Sequence, residues 1–160
     1  MARNTVDFSE VEKLRDNLRK QLNQTQVDEF MESCAKELTA RLLAKVIRRT
    51  PVGQYDHRVG GTLRRGWTSK THEEAESGGN ASASAYAKSL QIAKQGNMYT
   101  VEVVNPVEYA SYVEFGHRTR NHRGWVKGQF MLTISEDELK RDAPKVLEKK
   151  LKKMLEGCFK

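Results

Sequence analysis

The chain has 160 residues, 38% of them hydrophobic and 31% charged, with a formal net charge of +7. That balance describes one globular domain with a polar exterior and excludes a disordered or fibrous chain. No apolar run approaches the roughly 18 residues of a membrane span, and the stretch to Glu10 carries Arg3, Asp7 and Glu10 in place of a signal-peptide core.

Ser9 and Glu12 form a capping box, and Val11, Leu14, Leu18 and Leu22 follow at helical spacing, so a first helix is expected over about 10–22. The polar stretch Asn23 to Gln26 reads as a break. A second helix is expected over 27–49, where Val27, Phe30, Cys34, Leu38, Leu42 and Val46 make a broad apolar stripe, ended by Pro51. Residues 52–61, with three glycines, read as a mobile loop. A strand is expected near 62–72, with Leu63 and Trp67 on one face. Residues 73–84, rich in Glu, Gly, Ser and Ala, read as locally disordered. Residues 87–105 read as a hairpin turning at Gln95-Gly96-Asn97. A short helix is expected at 107–115, a basic loop at 116–128 and an extended segment at Phe130 to Ile134. The last helix opens on a capping box at Ser135 and Glu138, with a kink or break at Pro144. The fold class expected is α+β, with long N- and C-terminal helices packed on a small antiparallel sheet. It forms one domain over 1–160: a helical extension (1–24), a core (25–135) and a C-terminal helix (136–160).

Charge is concentrated. Residues 45–72 hold seven cations, Lys45, Arg48, Arg49, Arg58, Arg64, Arg65 and Lys70, against Asp56 alone. Residues 115–129 hold Arg118, Arg120, Arg123 and Lys127 with no acid. These segments suggest a polyanion or an acidic partner, set against a bland reading as solvated loops. Tyr55, Trp67, Tyr109, Tyr112, Phe115 and Trp125 lie near them and could stack on bases. Tyr109, Tyr112 and Phe115, however, are three apart on a helix, ordinary spacing for core or interface residues, and structural packing is the expectation for them over base stacking. Trp125, flanked by Gly124 and Val126, is the better partner anchor.

Catalytic patterns are lacking. His117 and His122, with Glu114 and Asp56, have no metal-ligand spacing and read as solvated loop histidines. Gly60-Gly61 lacks the lysine and helix of a phosphate loop. Cys34 and Cys158 read as small buried apolar residues of a reducing compartment, so a cytoplasmic site of synthesis is expected, with no cofactor.

Residues 105–118 read Asn-Pro-Val-Glu-Tyr-Ala-Ser-Tyr-Val-Glu-Phe-Gly-His-Arg. This resembles the signature of the phage tail-completion family, the gene-product-ten-like head–tail joining proteins. The matching positions are Asn105, Tyr109, Ala110, Tyr112, Val113, Glu114, Phe115, Gly116 and Arg118. Thr50-Pro51-Val52, Gly61-Thr62-Leu63-Arg64-Arg65-Gly66-Trp67 and Phe130-Met131 resemble flanking family segments, so the likeness covers about 27–140. The family's Pro-Val-Asp-Thr-Gly is here Pro-Val-Gly with an insertion through Val59, and Gln129 replaces a proline. The resemblance implies a non-enzymatic virion protein that forms a homo-oligomeric ring, six-fold, at the neck. Its neighbours would be the head connector or stopper and the tail terminator or tail tube. Arg58, Arg64, Arg65, Arg118, Arg120, Arg123, Trp125 and Lys127 would then contact partner subunits or DNA in the channel. A nucleic-acid-binding module and a metal-dependent nuclease on His117 and His122 are the alternatives. Within the signature, Gly116 is expected to end the short helix in a left-handed conformation, and Asn105 or Pro106 to start it. Glu114 is expected to pair with Arg118 or Arg64.

Overall fold

The computed structural model describes residues 13, 16, 19, 20, 22–54, 56, 57, 60–79 and 81–157. The capping box of the first expected helix, and Arg58, Tyr55 and Cys158, lie outside the described residues. Lys13, Asp16, Arg19 and Lys20 are helical and exposed.

The long helix α1 runs over Gln24–Arg49. It starts three residues before its apolar stripe does, because the Asn23 side chain accepts the Gln26 N–H at 2.9 Å. The polar residues read as a break are therefore a cap and a first turn. At the other end the Thr50 N–H and hydroxyl both donate to the Val46 carbonyl, at 2.8 and 2.7 Å. Arg64 closes the end from outside, donating to the Thr50 carbonyl at 3.1 and 2.7 Å. These contacts satisfy carbonyls that a helix terminus leaves unpaired.

The strand expected near 62–72 is instead a helical turn, α2, over Thr62–Gly66. Leu63 and Trp67 are four apart, a spacing that puts two residues on one face of a strand or of a helix alike. Both are buried, and Trp67 Nε1 donates to Thr50 Oγ1 at 2.8 Å. The stretch read as disordered contains helix α3 (His72–Glu76), capped by Thr71, and the start of α4 (Ala83–Ser89), capped by Ser82. Ala75 and Ala87 are buried from these helices. Alanine has high helix propensity and lets backbones approach closely, but its small side chain makes almost no periodic signal. Helix α4 packs along α1.

The expected hairpin is present with shorter strands, β1 (Ile92–Gln95) and β2 (Met98–Val101), turning at Gly96-Asn97. Its first expected residues belong to α4. Asp28 on α1 pins it, accepting from Lys94 Nζ at 2.5 Å and Tyr99 Oη at 2.6 Å. Helix α5 covers Ala110–Phe115. The basic loop that follows contains an antiparallel pair, β3 (Gly116–Arg118) and β4 (Trp125–Lys127).

Helix α6 runs unbroken over Met131–Glu156, through Pro144. It takes in the segment expected to be extended, and Ser135 is not its cap. Ser135 is buried one turn into the helix and donates to the Met131 carbonyl at 2.6 Å. Glu138, expected as the other half of that capping box, instead binds Lys45 at 3.3 Å and Arg49 at 2.5 Å. Lys45 also reaches Asp142 at 2.9 Å, and Lys150 reaches Glu37 at 3.0 Å. These pairs fix α1 and α6 as antiparallel neighbours. Pro144 is exposed, so the Lys140 carbonyl that it deprives of an N–H partner sits on the solvent side.

The buried core joins Leu43, Val46, Leu63, Trp67, Ala75, Ala87, Val107 and Met131. It is drawn from helices and the Val107 turn, with the two hairpins outside it, so the class is α+β with a core built helix on helix.

Candidate assembly surface

The segment 105–118 works as two opposite faces. On the inner face Asn105 Nδ2 donates to the Leu63 carbonyl at 2.9 Å, and its Oδ1 accepts the Val107 N–H at 3.2 Å. That Asx turn, and not a cap on α5, is the role of Asn105. Gly66 makes room for it, since a Cβ there would lie 2.2 Å from Asn105 Oδ1. Val107 is buried beneath.

Glu114 also points inward and is only 5% exposed. It does not pair with Arg118 or Arg64. Its Oε2 accepts the Leu132 N–H at 2.9 Å, and its Oε1 accepts the Thr133 N–H at 2.9 Å and the Thr133 hydroxyl at 2.8 Å. A carboxylate from α5 therefore caps the N-terminus of α6, where unpaired N–H groups and the helix dipole favour negative charge. This explains why α6 starts at Met131 with no cap from its own flank. Phe130, at φ 49°, is held in the entry turn by its N–H to the Glu114 carbonyl at 3.0 Å.

Gly116 has positive φ as expected (86°), but its ψ of 172° lies outside the left-handed helical region. The chain passes directly from α5 into β3 through a conformation open essentially to glycine alone. A Cβ here would also stand 2.4 Å from the Val126 carbonyl.

On the outer face Tyr109, Tyr112 and Phe115 are exposed by 43, 59 and 61%. The core half of the expectation for them fails: the buried side of α5 is taken by Glu114 and by Val113, which packs against the core. Trp125 is 63% exposed, and Val126, Phe130 and Ile134 are exposed nearby in sequence. A hairpin strand places Trp125 beside Gly116, and Tyr112 meets the His117 ring at 5.8 Å between centroids. Clustered exposed aromatics of this kind are unusual on a surface that meets only water.

The candidate cations divide. Arg64 is occupied by the Thr50 carbonyl, and Arg65 donates to the Ala75 and Gly60 carbonyls at 2.7 and 3.1 Å. Both are structural ties. Arg118, Arg120, Arg123 and Lys127 are exposed on the β3–β4 hairpin and form no ion pair among the described residues. His122 sits in the hairpin turn at φ 56°. Among the described residues no group of three His, Cys, Asp or Glu side chains could hold a metal ion, and no helix is long and apolar enough to cross a membrane. Two features escaped the sequence reading: the Glu114 cap, which has no local signal, and a lysine row on α6, whose spacing of four was legible.

The signature segment thus spends its acid on the α6 cap and turns its aromatics outward. The chain belongs to the HK97-gp10-like family, described as "Bacteriophage HK97-gp10, putative tail-component", whose model matches residues 12–116. The match ends at Gly116, so Phe130-Met131 and α6 lie beyond it. No curated protein and no solved structure matches the chain.

Proposed function

We propose that this phage tail component is a tail-completion subunit that joins head to tail. It would be made in the host cytoplasm and come to rest as a six-fold ring at the neck. Its neighbours there are the head connector or stopper on one side and the tail terminator or tail tube on the other. It needs no cofactor and performs no catalysis. The observation that carries this reading is the outward aromatic face of the signature segment, Tyr109, Tyr112 and Phe115, with exposed Trp125 reaching the Gly116 that follows it. Exposed aromatics flanked by arginines are the usual anchors of a protein interface. A ring needs a heterologous contact that closes by rotation, and a face of this kind on each subunit can supply one half of it.

The test is a phage carrying Tyr112→Asp and Phe115→Asp together. Both side chains are largely in solvent, so the isolated variant should fold and melt like the wild type. Its lysates should hold DNA-filled heads and separate tails by electron microscopy, with few joined particles. A normal yield of joined particles would show that the aromatic face is not what assembles the neck.

A further inference from the structure

We infer that α6 carries a binding site for the sugar-phosphate backbone of double-stranded nucleic acid, separate from the basic hairpin and independent of the head–tail reading. Residues 140–153 hold seven cations against Asp142 and Glu148. Asp142 binds Lys45 and also feels Arg141 and Lys145, and Glu37 takes Lys150, which still leaves an excess of positive charge along the row. Lys145, Lys149 and Lys153 stand at successive spacings of four, about 6 Å apart along the helix axis. All three are exposed, and none is in an ion pair among the described residues. They border a groove of about 560 Å³ between α1 and α6, lined on the α1 side by Arg41 and its partner Glu37. Arg141 and Lys152, also exposed, flank the same arc of the helix.

Like charges one turn apart destabilise a helix, so such a row is a standing cost in the free protein. Lys153 in the last turn gains from the helix dipole, but Arg141 and Lys145 lie two turns or more too early for that. A polyanion lying along the row removes the cost. The chemistry of the face selects among polyanions. Its only apolar lining residue is the half-buried Val146, and the other apolar residues of α6 lie around the helix from the lysines. A protein partner or a bilayer surface would call for aromatic or aliphatic anchors within the row. A single strand would call for aromatic platforms on which bases stack. A straight line of lysine point charges without either fits the regular phosphates of a duplex, read without regard to sequence.

The experiment measures binding of the full chain to a fluorescent mixed-sequence DNA duplex across a salt series. The triple variant Lys145→Gln, Lys149→Gln, Lys153→Gln keeps good helix formers at exposed positions, and circular dichroism checks that α6 persists. Its slope of log K against log salt should be shallower than the wild type's by about 2.7, since each neutralised phosphate contact contributes about 0.9. A matching Lys→Arg triple should retain the wild-type slope. The inference falls if the glutamine triple leaves the slope unchanged. It falls equally if only Arg118, Arg120 and Arg123 substitutions reduce the slope, or if the wild type ignores duplex at low salt, whether or not it binds phosphatidylserine vesicles.

Discussion

Glu114 and Thr133, 19 residues apart, are joined by two hydrogen bonds to one carboxylate oxygen, from the Thr133 N–H at 2.9 Å and its hydroxyl at 2.8 Å. With the Leu132 N–H on the other oxygen, the three bonds tie the signature helix to the start of the last helix. The outward aromatic face and the entry to α6 therefore stand or fall as one unit.

Glu114→Gln tests this tie. A glutamine amide offers one acceptor oxygen and turns an NH2 donor toward an N–H donor, so at least one partly buried N–H is left unpaired. The expected loss is about 1–3 kcal/mol of unfolding free energy, measured by urea titration. A change below about 0.5 kcal/mol would show that the cap contributes little.

Gly116→Ala tests the passage from α5 into β3. The new methyl meets the Val126 carbonyl, at 2.4 Å from the ideal Cβ position, in a backbone conformation that disfavours any side chain. A loss of about 1–3 kcal/mol is expected, with chemical-shift changes on β4. An unperturbed spectrum and melting curve would mean that the strand pair yields freely.

Trp67→Phe tests the contact between α2 and the end of α1. The ring stays buried but the 2.8 Å bond from Nε1 to Thr50 Oγ1 is lost. The Thr50 hydroxyl keeps its own acceptor on Val46, so the expected loss is modest, about 0.5–1.5 kcal/mol in denaturant unfolding. A loss above about 3 kcal/mol would point to the packing of the indole as the main contribution.

Acid stability depends on carboxylates held by cations. The hydrogen bonds from Lys94 and then Tyr99 lower the Asp28 pKa to about 2. Arg41 and Lys150 lower Glu37, and Lys45 lowers both Glu138 and Asp142. Each group binds its proton less tightly folded than unfolded. Their stabilisation is therefore complete above the ordinary carboxylate range and is lost as pH falls through the folded values. Urea midpoints measured from pH 5 to pH 2 should fall steadily. Asp28→Asn should flatten the part of that decline nearest pH 2, and an unchanged decline would remove Asp28 from the account.

The amino-acid sequence by itself determined the elements whose cause is local. The apolar stripe of α1 repeats over many turns, Pro51 follows its end, and Gly96-Asn97 sits between two alternating runs. Each signal lies within a few residues of what it specifies. The signature segment was equally legible, and with it the family. Tertiary structure alone decided the rest. Leu63 and Trp67 satisfy strand and helix periods alike, and only the Thr50 hydroxyl and the core around Val46 select the helix. Ser135 and Glu138 form a plausible cap on paper, but a carboxylate from another helix starts α6 one turn earlier and leaves Ser135 buried. Tyr109, Tyr112 and Phe115 have the spacing of packed residues, and spacing says that they share a face without saying what lies opposite. Which face is buried depends on neighbours that are distant in the chain, because burial is a property of the space around a side chain and not of its place in the sequence.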